Sequence, residues 1–227
     1  MHQYLFFIGN FPIRLYGIFF SLGIISGCIT AYFLLKKDRR GWESHMFDLG
    51  LVIAFAGIVG GRLWDVFFFD WEYYHNHLLE IPYIWQGGMA IQGGIIFACI
   101  AAYFYLKKHQ IPVLPFADTV TPGIILGQAI GRIANFMNGD AFGHPTGQDF
   151  GLLYPDTTLA YHTYGAQPLW PAEVWECQGD LLIFVLLLWY GCKTRAEGTT
   201  FCLYIMFYSL LRFFLENYRG DYGTLAL

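Results

Sequence analysis

Three arginines, Arg62, Arg132 and Arg212, stand inside segments that are otherwise apolar enough to be membrane-spanning helices. A guanidinium at membrane depth is costly, so its presence implies a task. The run Gly131-Arg132-Ile133-Ala134-Asn135-Phe136-Met137-Asn138-Gly139-Asp140 adds two amides and a carboxylate within about two helical turns. Lipid-facing packing rejects that density of polar groups, so the cluster must face a protein cavity. Glu216 follows Arg212 by one turn and Tyr208 precedes it by one, which puts all three on one helix face. Several guanidiniums with amide donors in an apolar cavity suit a phosphate attached to lipid, because arginine offers paired donors to phosphate oxygens. A phospholipid headgroup is the natural candidate. Purely structural pairings stand beside this reading: Arg62 with Asp65 at i,i+3, and Arg212 with Glu216 at i,i+4.

The elements that must position these residues follow from composition. Hydrophobic residues make up 56% of the chain and charged residues 13%, against about 25% charged in soluble proteins, which makes this a polytopic membrane protein. Leu15 to Leu35 and Ile81 to Leu106 contain no Asp, Glu, Lys or Arg, and each can cross a hydrocarbon core of about 30 Å. Further spans fall at about 47–69, 116–137, 173–191 and 199–217. The expected fold is all-α, with about six transmembrane helices around a polar cavity in the outer leaflet. It forms a single integral-membrane domain over 1–227, and the connection at about 138–172 makes a small extracytoplasmic cap.

Charge placement orients the chain. Lys36, Lys37, Arg39 and Arg40 follow the first helix, Lys107 and Lys108 the third, and Lys193 and Arg195 the fifth, so these loops are cytoplasmic. Segments 70–88 and 138–172 contain no Lys or Arg, as expected on the outer face. The apolar start lacks a basic n-region and a cleavage site and is expected to be an uncleaved first helix. Under this topology Arg62, Arg132 and Arg212 lie toward the outer leaflet. Tyr16 and Gln92, which open the first and third helices, enter the same layer.

Other conspicuous residues have plainer readings. Glycines at 57, 60, 61, 87, 88, 93, 94, 123, 127 and 131 fit close helix packing. His144 and His162 read as exposed loop histidines, His144 being near enough in sequence to Asp140 to approach the cavity. Glu173 and Glu176 start the fifth helix behind Pro171, where acids favour the positive helix end. Trp85, Trp170 and Trp175 fit an interfacial aromatic belt. The five cysteines have no CxxC or metal-ligand spacing, so neither a disulfide nor a metal site is expected.

The stretch Gly131 to Gly143 resembles the signature of the bacterial prolipoprotein diacylglyceryl transferases, Gly-Arg-x-x-Asn-Phe-x-Asn-x-Glu-x-x-Gly, with Asp140 in place of the Glu. Phe11-Pro12-Ile13-Arg14-Leu15-Tyr16-Gly17, Gly60-Gly61-Arg62, Gly87-Gly88-Met89 and Tyr208-x-x-x-Arg212-x-x-x-Glu216 join it in the family's order across almost the whole chain. The resemblance implies transfer of the diacylglyceryl group of phosphatidylglycerol to the lipobox cysteine thiol of a secreted precursor, in the bacterial cytoplasmic membrane. A thioether forms and glycerol phosphate is released. No metal or organic cofactor is implied, and no nucleic acid; the partners are phosphatidylglycerol, prolipoprotein signal peptides and membrane lipids. By resemblance Arg132 and Arg212 bind the phosphate and stabilise the leaving group. Asn135, Asn138, Asp140, Tyr16, Tyr208 and Glu216 orient the headgroup and those arginines, with Arg62 and Gly93 joining the lipid site, and Gln92 lies where lipid and thiol meet.

Three departures from the family pattern bear on mechanism. Gln92-Gly93-Gly94 stands where many members have His-Gly-Gly, and a neutral amide is no useful proton acceptor. The base then falls to Asp140 or Glu216, or the arginine field alone lowers the thiol pKa. Asp140 is one methylene shorter than the family Glu. A further apolar span usually follows the sixth helix, whereas this sequence stops at Leu227 after Arg219-Gly220-Asp221-Tyr222, implying an outward C terminus. Two other readings stay open: the same lipid site serving another acceptor, and a lipid-binding or lipid-translocating protein without chemistry.

Overall fold

A computed structural model describes residues 4–8, 11–84, 87–191 and 196–221. Six long helices dominate: α1 (Leu15–Asp38), α2 (Met46–Trp64), α3 (Ile91–Lys108), α4 (Val113–Asn138), α5 (Ala172–Gly191) and α6 (Thr199–Glu216). One π-helical turn, Asp65–Phe69, continues α2. Four helical stretches, Leu15–Asp38, Trp42–Phe69, Val113–Asn138 and Thr199–Glu216, are long and apolar enough to cross a membrane. The helices α3 and α5 occupy the places of the other two expected spans. Phe33, Leu51, Phe55, Leu182 and Phe213 are exposed on these helices, an outward apolar surface that lipid would cover.

Two features depart from the expected pattern. An antiparallel hairpin, β1 (Tyr4–Ile8) with β2 (Phe11–Arg14), precedes α1, where β-favouring Tyr, Phe and Ile are concentrated. The third helix begins at Ile91 rather than Ile81. Pro82 cannot donate to a helical carbonyl, Gly87 and Gly88 take φ of 97° and 72°, and Arg62 occupies the backbone carbonyls of this stretch instead. The basic pairs Lys36/Lys37 and Lys107/Lys108 close α1 and α3. Lys193, Arg195, Cys192 and Trp85 lie outside the described residues.

The chain divides into two compact units, residues 38–116 and residues 1–37 with 117–227. In the first, α2 packs on α3 through glycines: a Cβ on Gly60 would lie 2.6 Å from the Gly93 carbonyl oxygen, nearer than any side chain tolerates. In the second, α1 meets α4 in the same way, and a Cβ on Gly27 would lie 2.7 Å from the Gly123 oxygen. There α5 and α6 enclose Ile125, Ile183 and Leu187 with Leu203, Phe207 and Leu211.

The connection between α4 and α5 has a small core of its own, Phe142, Tyr154, Ala160 and Leu169. It carries one short helix, Leu159–Tyr164, capped by the Thr158 hydroxyl, which accepts from Tyr161 N–H at 3.3 Å. The chain leaving α6 bonds back onto it: Gly220 N–H donates to Phe142 C=O, His144 N–H to Tyr218 C=O and the Tyr164 hydroxyl to Gly220 C=O, each at 3.0 Å.

Candidate functional site

In the larger unit three helices bring charge to one point. Glu176, one turn into α5 and 2% exposed at its side chain, receives Arg132 of α4 at 2.7 Å on Oε1 and Arg212 of α6 at 2.9 Å on Oε2. Arg219, just beyond α6, approaches the same carboxylate at 4.0 Å and forms a two-point pair with Asp221. The second nitrogen of Arg212 holds Glu216 at 3.0 Å, the i,i+4 pairing that the spacing allows. The Tyr208 hydroxyl lies 3.4 Å from Glu176 Oε1, the oxygen that Arg132 also meets. A carboxylate removed from water is retained when it is paired and hydrogen-bonded, and here arginines meet both oxygens. The arginines keep about a fifth to a quarter of their side chains exposed, 21% for Arg132 and 26% for Arg212, so their free edges face open space.

A second polar group closes the C-terminal end of α4. The helix stops at Gly139, whose φ of 74° gives the left-handed turn that ends a helix, and its N–H returns to Asn135 C=O at 2.9 Å. That turn swings Asp140 back over the last helical residues. Asn135 Nδ2 donates to Asp140 Oδ1 at 2.8 Å and Asn138 Nδ2 to Oδ2 at 3.0 Å. Tyr16 lies in the first turn of α1, its ring stacked on Phe20 with centroids 5.9 Å apart. The amides thus orient the carboxylate.

In the smaller unit Arg62 is 3% exposed and spends its donors on backbone. Nε donates to Ile81 C=O at 2.7 Å, Nη1 to Gly87 and Gly88 C=O at 2.7 and 2.9 Å, and Nη2 to Glu80 C=O at 3.1 Å. Asp65 stands 3.8 Å away, and the guanidinium lies over the Tyr74 ring. Gln92 is exposed in the first turn of α3, and Gly93 packs against Trp64 and the Gly60 carbonyl.

Of the residues singled out from sequence, Arg132, Arg212, Tyr208 and Glu216 gather at Glu176, and Asn135 and Asn138 at Asp140. His144 bridges chain segments, its ring nitrogens lying 2.9 Å from Pro145 C=O and 3.2 Å from Asn217 C=O. Sequence reasoning missed Glu176 as the hub, together with Arg219 and Asp180. Asp180 lies one turn past Glu176, fully buried, with neither oxygen hydrogen-bonded among the described residues. The signal was there: Glu173, Glu176 and Asp180 recur at helical spacing in an apolar segment, and buried arginines require counter-charges.

Comparison with known proteins gives a consistent result. The family model for prolipoprotein diacylglyceryl transferase matches residues 3–227. A phosphatidylglycerol–prolipoprotein diacylglyceryl transferase of Clostridium botulinum strain Langeland is 35% identical over 221 residues, which cover 97% of this chain and 86% of that protein. Enzymes of the same name from Staphylococcus saprophyticus and Clostridium kluyveri are each 36% identical, over 96% and 95% of this chain and 78% and 84% of theirs.

Proposed function

We propose that this chain, which belongs to the prolipoprotein diacylglyceryl transferase family, transfers the diacylglyceryl group of phosphatidylglycerol to the thiol of a lipobox cysteine in a prolipoprotein. It acts as one integral-membrane transferase domain of six spans, in the bacterial cytoplasmic membrane with its site toward the outer leaflet. The observation that carries the reading is the convergence of Arg132 and Arg212 on the two oxygens of one carboxylate. A phosphate offers oxygens of the same kind to the same donors.

In the reaction, the thiol sulfur attacks the terminal glyceryl carbon that bears the phosphate oxygen. The carbon–sulfur bond forms as the carbon–oxygen bond breaks, and the electron pair leaves with glycerol phosphate. Arg132 and Arg212 stabilise the charge that grows on the departing phosphate, an effect strengthened where water is scarce. A thiol is mostly protonated near neutral pH, so its proton must be taken up. Gln92 does not serve as that base. Asp140 already holds an amide donor on each oxygen, whereas Glu216 is anchored to Arg212 through one oxygen and is 47% exposed at its side chain. Glu216 is the group we assign to accept the proton. Asn135 and Asn138 steady Asp140, and Tyr16 and Tyr208 line the headgroup site.

The test incubates purified protein with phosphatidylglycerol and a lipobox peptide, following peptide mass and glycerol phosphate together. The expected outcome is a diacylglyceryl mass gain with matching release, absent for a Cys→Ser peptide. Release without peptide modification would move the assignment to another acceptor, and no product from folded protein would refute transfer.

A further inference from the structure

Asp118 sits in the second turn of α4, buried, far along the helix from Arg132. Its carboxylate reaches across to the start of α6: Oδ2 accepts Gly198 N–H at 2.7 Å and Oδ1 accepts Phe201 N–H at 2.8 Å. The first N–H groups of a helix have no partner within it. Gly198, at the N-cap with φ of 85°, has no side chain to supply one. One carboxylate on a different helix therefore satisfies the two donors that a capping box would cover, at the end where the helix dipole favours negative charge.

The geometry does more than cap. From Asp118 to Arg132 on α4, and from Gly198 to Arg212 on α6, the distance along the helix is the same, about 14 residues or about 21 Å. Both steps end at Glu176, where the two arginines meet. Between the ends, the Tyr204 hydroxyl donates to Gln128 Oε1 at 2.8 Å. The two helices run in the same direction and are linked near both ends, by Asp118 with Gly198 and Phe201 and by Arg132 and Arg212 through Glu176, with the longer-reaching Tyr204–Gln128 bond between. Two N–H groups fixed on two oxygens of one carboxylate define both the axial height and the rotation of α6. A slip of one residue is about 1.5 Å, enough to carry Arg212 out of hydrogen-bond register with Glu176.

We infer that Asp118 is a positioning residue for transfer: it sets the register of α6 on α4 and so places Arg212 opposite Arg132. This rests on the reading of the two arginines as the groups that hold the lipid phosphate. Asp118→Asn keeps the shape but removes the charge and one acceptor oxygen. Asp118→Glu keeps the charge and both acceptors but is one methylene longer, so it can still cap α6 while displacing it.

The experiment measures transfer and, independently of activity, the distance between spin labels at Ile124 on α4 and Leu210 on α6, both exposed, in protein with its native cysteines replaced by serine. In Asp118→Glu the unfolding temperature stays near that of the parent, the label distance shifts by about 1.5 Å or broadens, and kcat falls at least about tenfold with little change in KM for phosphatidylglycerol. Asp118→Asn shows the same changes with lower stability. Full transfer with an unaltered distance in Asp118→Glu would overturn the inference, since a capping role alone is met by either acid. Absence of transfer in the unsubstituted protein would refute the function reading instead, and the label distance would still decide whether Asp118 sets the register.

Discussion

Arg132 and Arg212 meet without touching one another: each takes a different oxygen of the Glu176 carboxylate, at 2.7 and 2.9 Å. The resting cluster thus carries an internal anion at the position that the reaction assigns to phosphate oxygens. On the proposed reading substrate and Glu176 would compete for the same donors, so stability and lipid affinity should pull in opposite directions.

Glu176→Gln tests that competition. The substitution keeps volume and one acceptor but leaves two arginines without their shared counter-charge, which costs about 3–5 kcal/mol of stability by analogy with other broken buried pairs. The freed donors bind phosphate more readily. A thermal unfolding scan beside a phosphatidylglycerol titration should show the unfolding temperature fall and KM fall together. A raised KM would mean that Glu176 orients the arginines for lipid rather than competing with it.

Arg132→Lys and Arg212→Lys keep the charge and lose the planar fork. Lysine offers a point charge, so neither variant can hold a phosphate and a carboxylate at once in the geometry that the guanidinium allows. Each should lower kcat/KM by about 100-fold, with folding intact. Activity within threefold of the parent would remove that arginine from the leaving-group site.

How far the sequence announced these features depends on the range of the interaction. Apolar runs located the helices, a local property of composition, and the glycines marked close packing, whereas which helices they join, α2 with α3 and α1 with α4, comes from the fold. Arg212 with Glu216 was legible at i,i+4, and Asn135, Asn138 and Asp140 stood within one short segment. Glu176 was read as a helix-start acid because its partners come from α4 and from the far end of α6, which only tertiary packing unites. The start of α3 was misplaced for a related reason. Residues 81–90 carry no charge and read as helix; Pro82, Gly87 and Gly88 break it, and Arg62 holds the freed backbone through carbonyls, which leave no mark in side-chain pattern.

Arg62→Lys therefore should act on local order first. An ammonium offers three donors from one point and cannot span the carbonyls of Glu80, Ile81, Gly87 and Gly88. Each of these part-buried hydrogen bonds, when lost, costs about 0.5–1.5 kcal/mol. Hydrogen exchange should accelerate across 80–90, including the Ala90 amide that bonds Gly61 C=O at 3.0 Å, while exchange in α6 is unchanged. Unaltered exchange at 80–90 with a raised KM for phosphatidylglycerol would instead make Arg62 a lipid ligand.

Tyr154 supplies a pH-dependent test of the segment between α4 and α5. Its hydroxyl donates to Glu173, and burial, followed by the negative charge of Glu173 and the hydrogen bond itself, holds the phenol above its ordinary range. An unfolded tyrosine ionises near pH 10. Below that value both states keep the proton and the contribution to stability is complete. Above it the unfolded chain loses the proton while the folded one retains it, so stability falls as pH rises beyond about 10. Tyr154→Phe removes the group that titrates and leaves Glu173 short of a donor. Denaturation measured at neutral pH and at alkaline pH should show the variant weaker by about 1–3 kcal/mol at neutral pH, with the gap to the parent narrowing as pH climbs past 10. A gap that stays constant would mean that the phenol ionises alike in both states, and the hydroxyl would then contribute packing rather than a buried hydrogen bond.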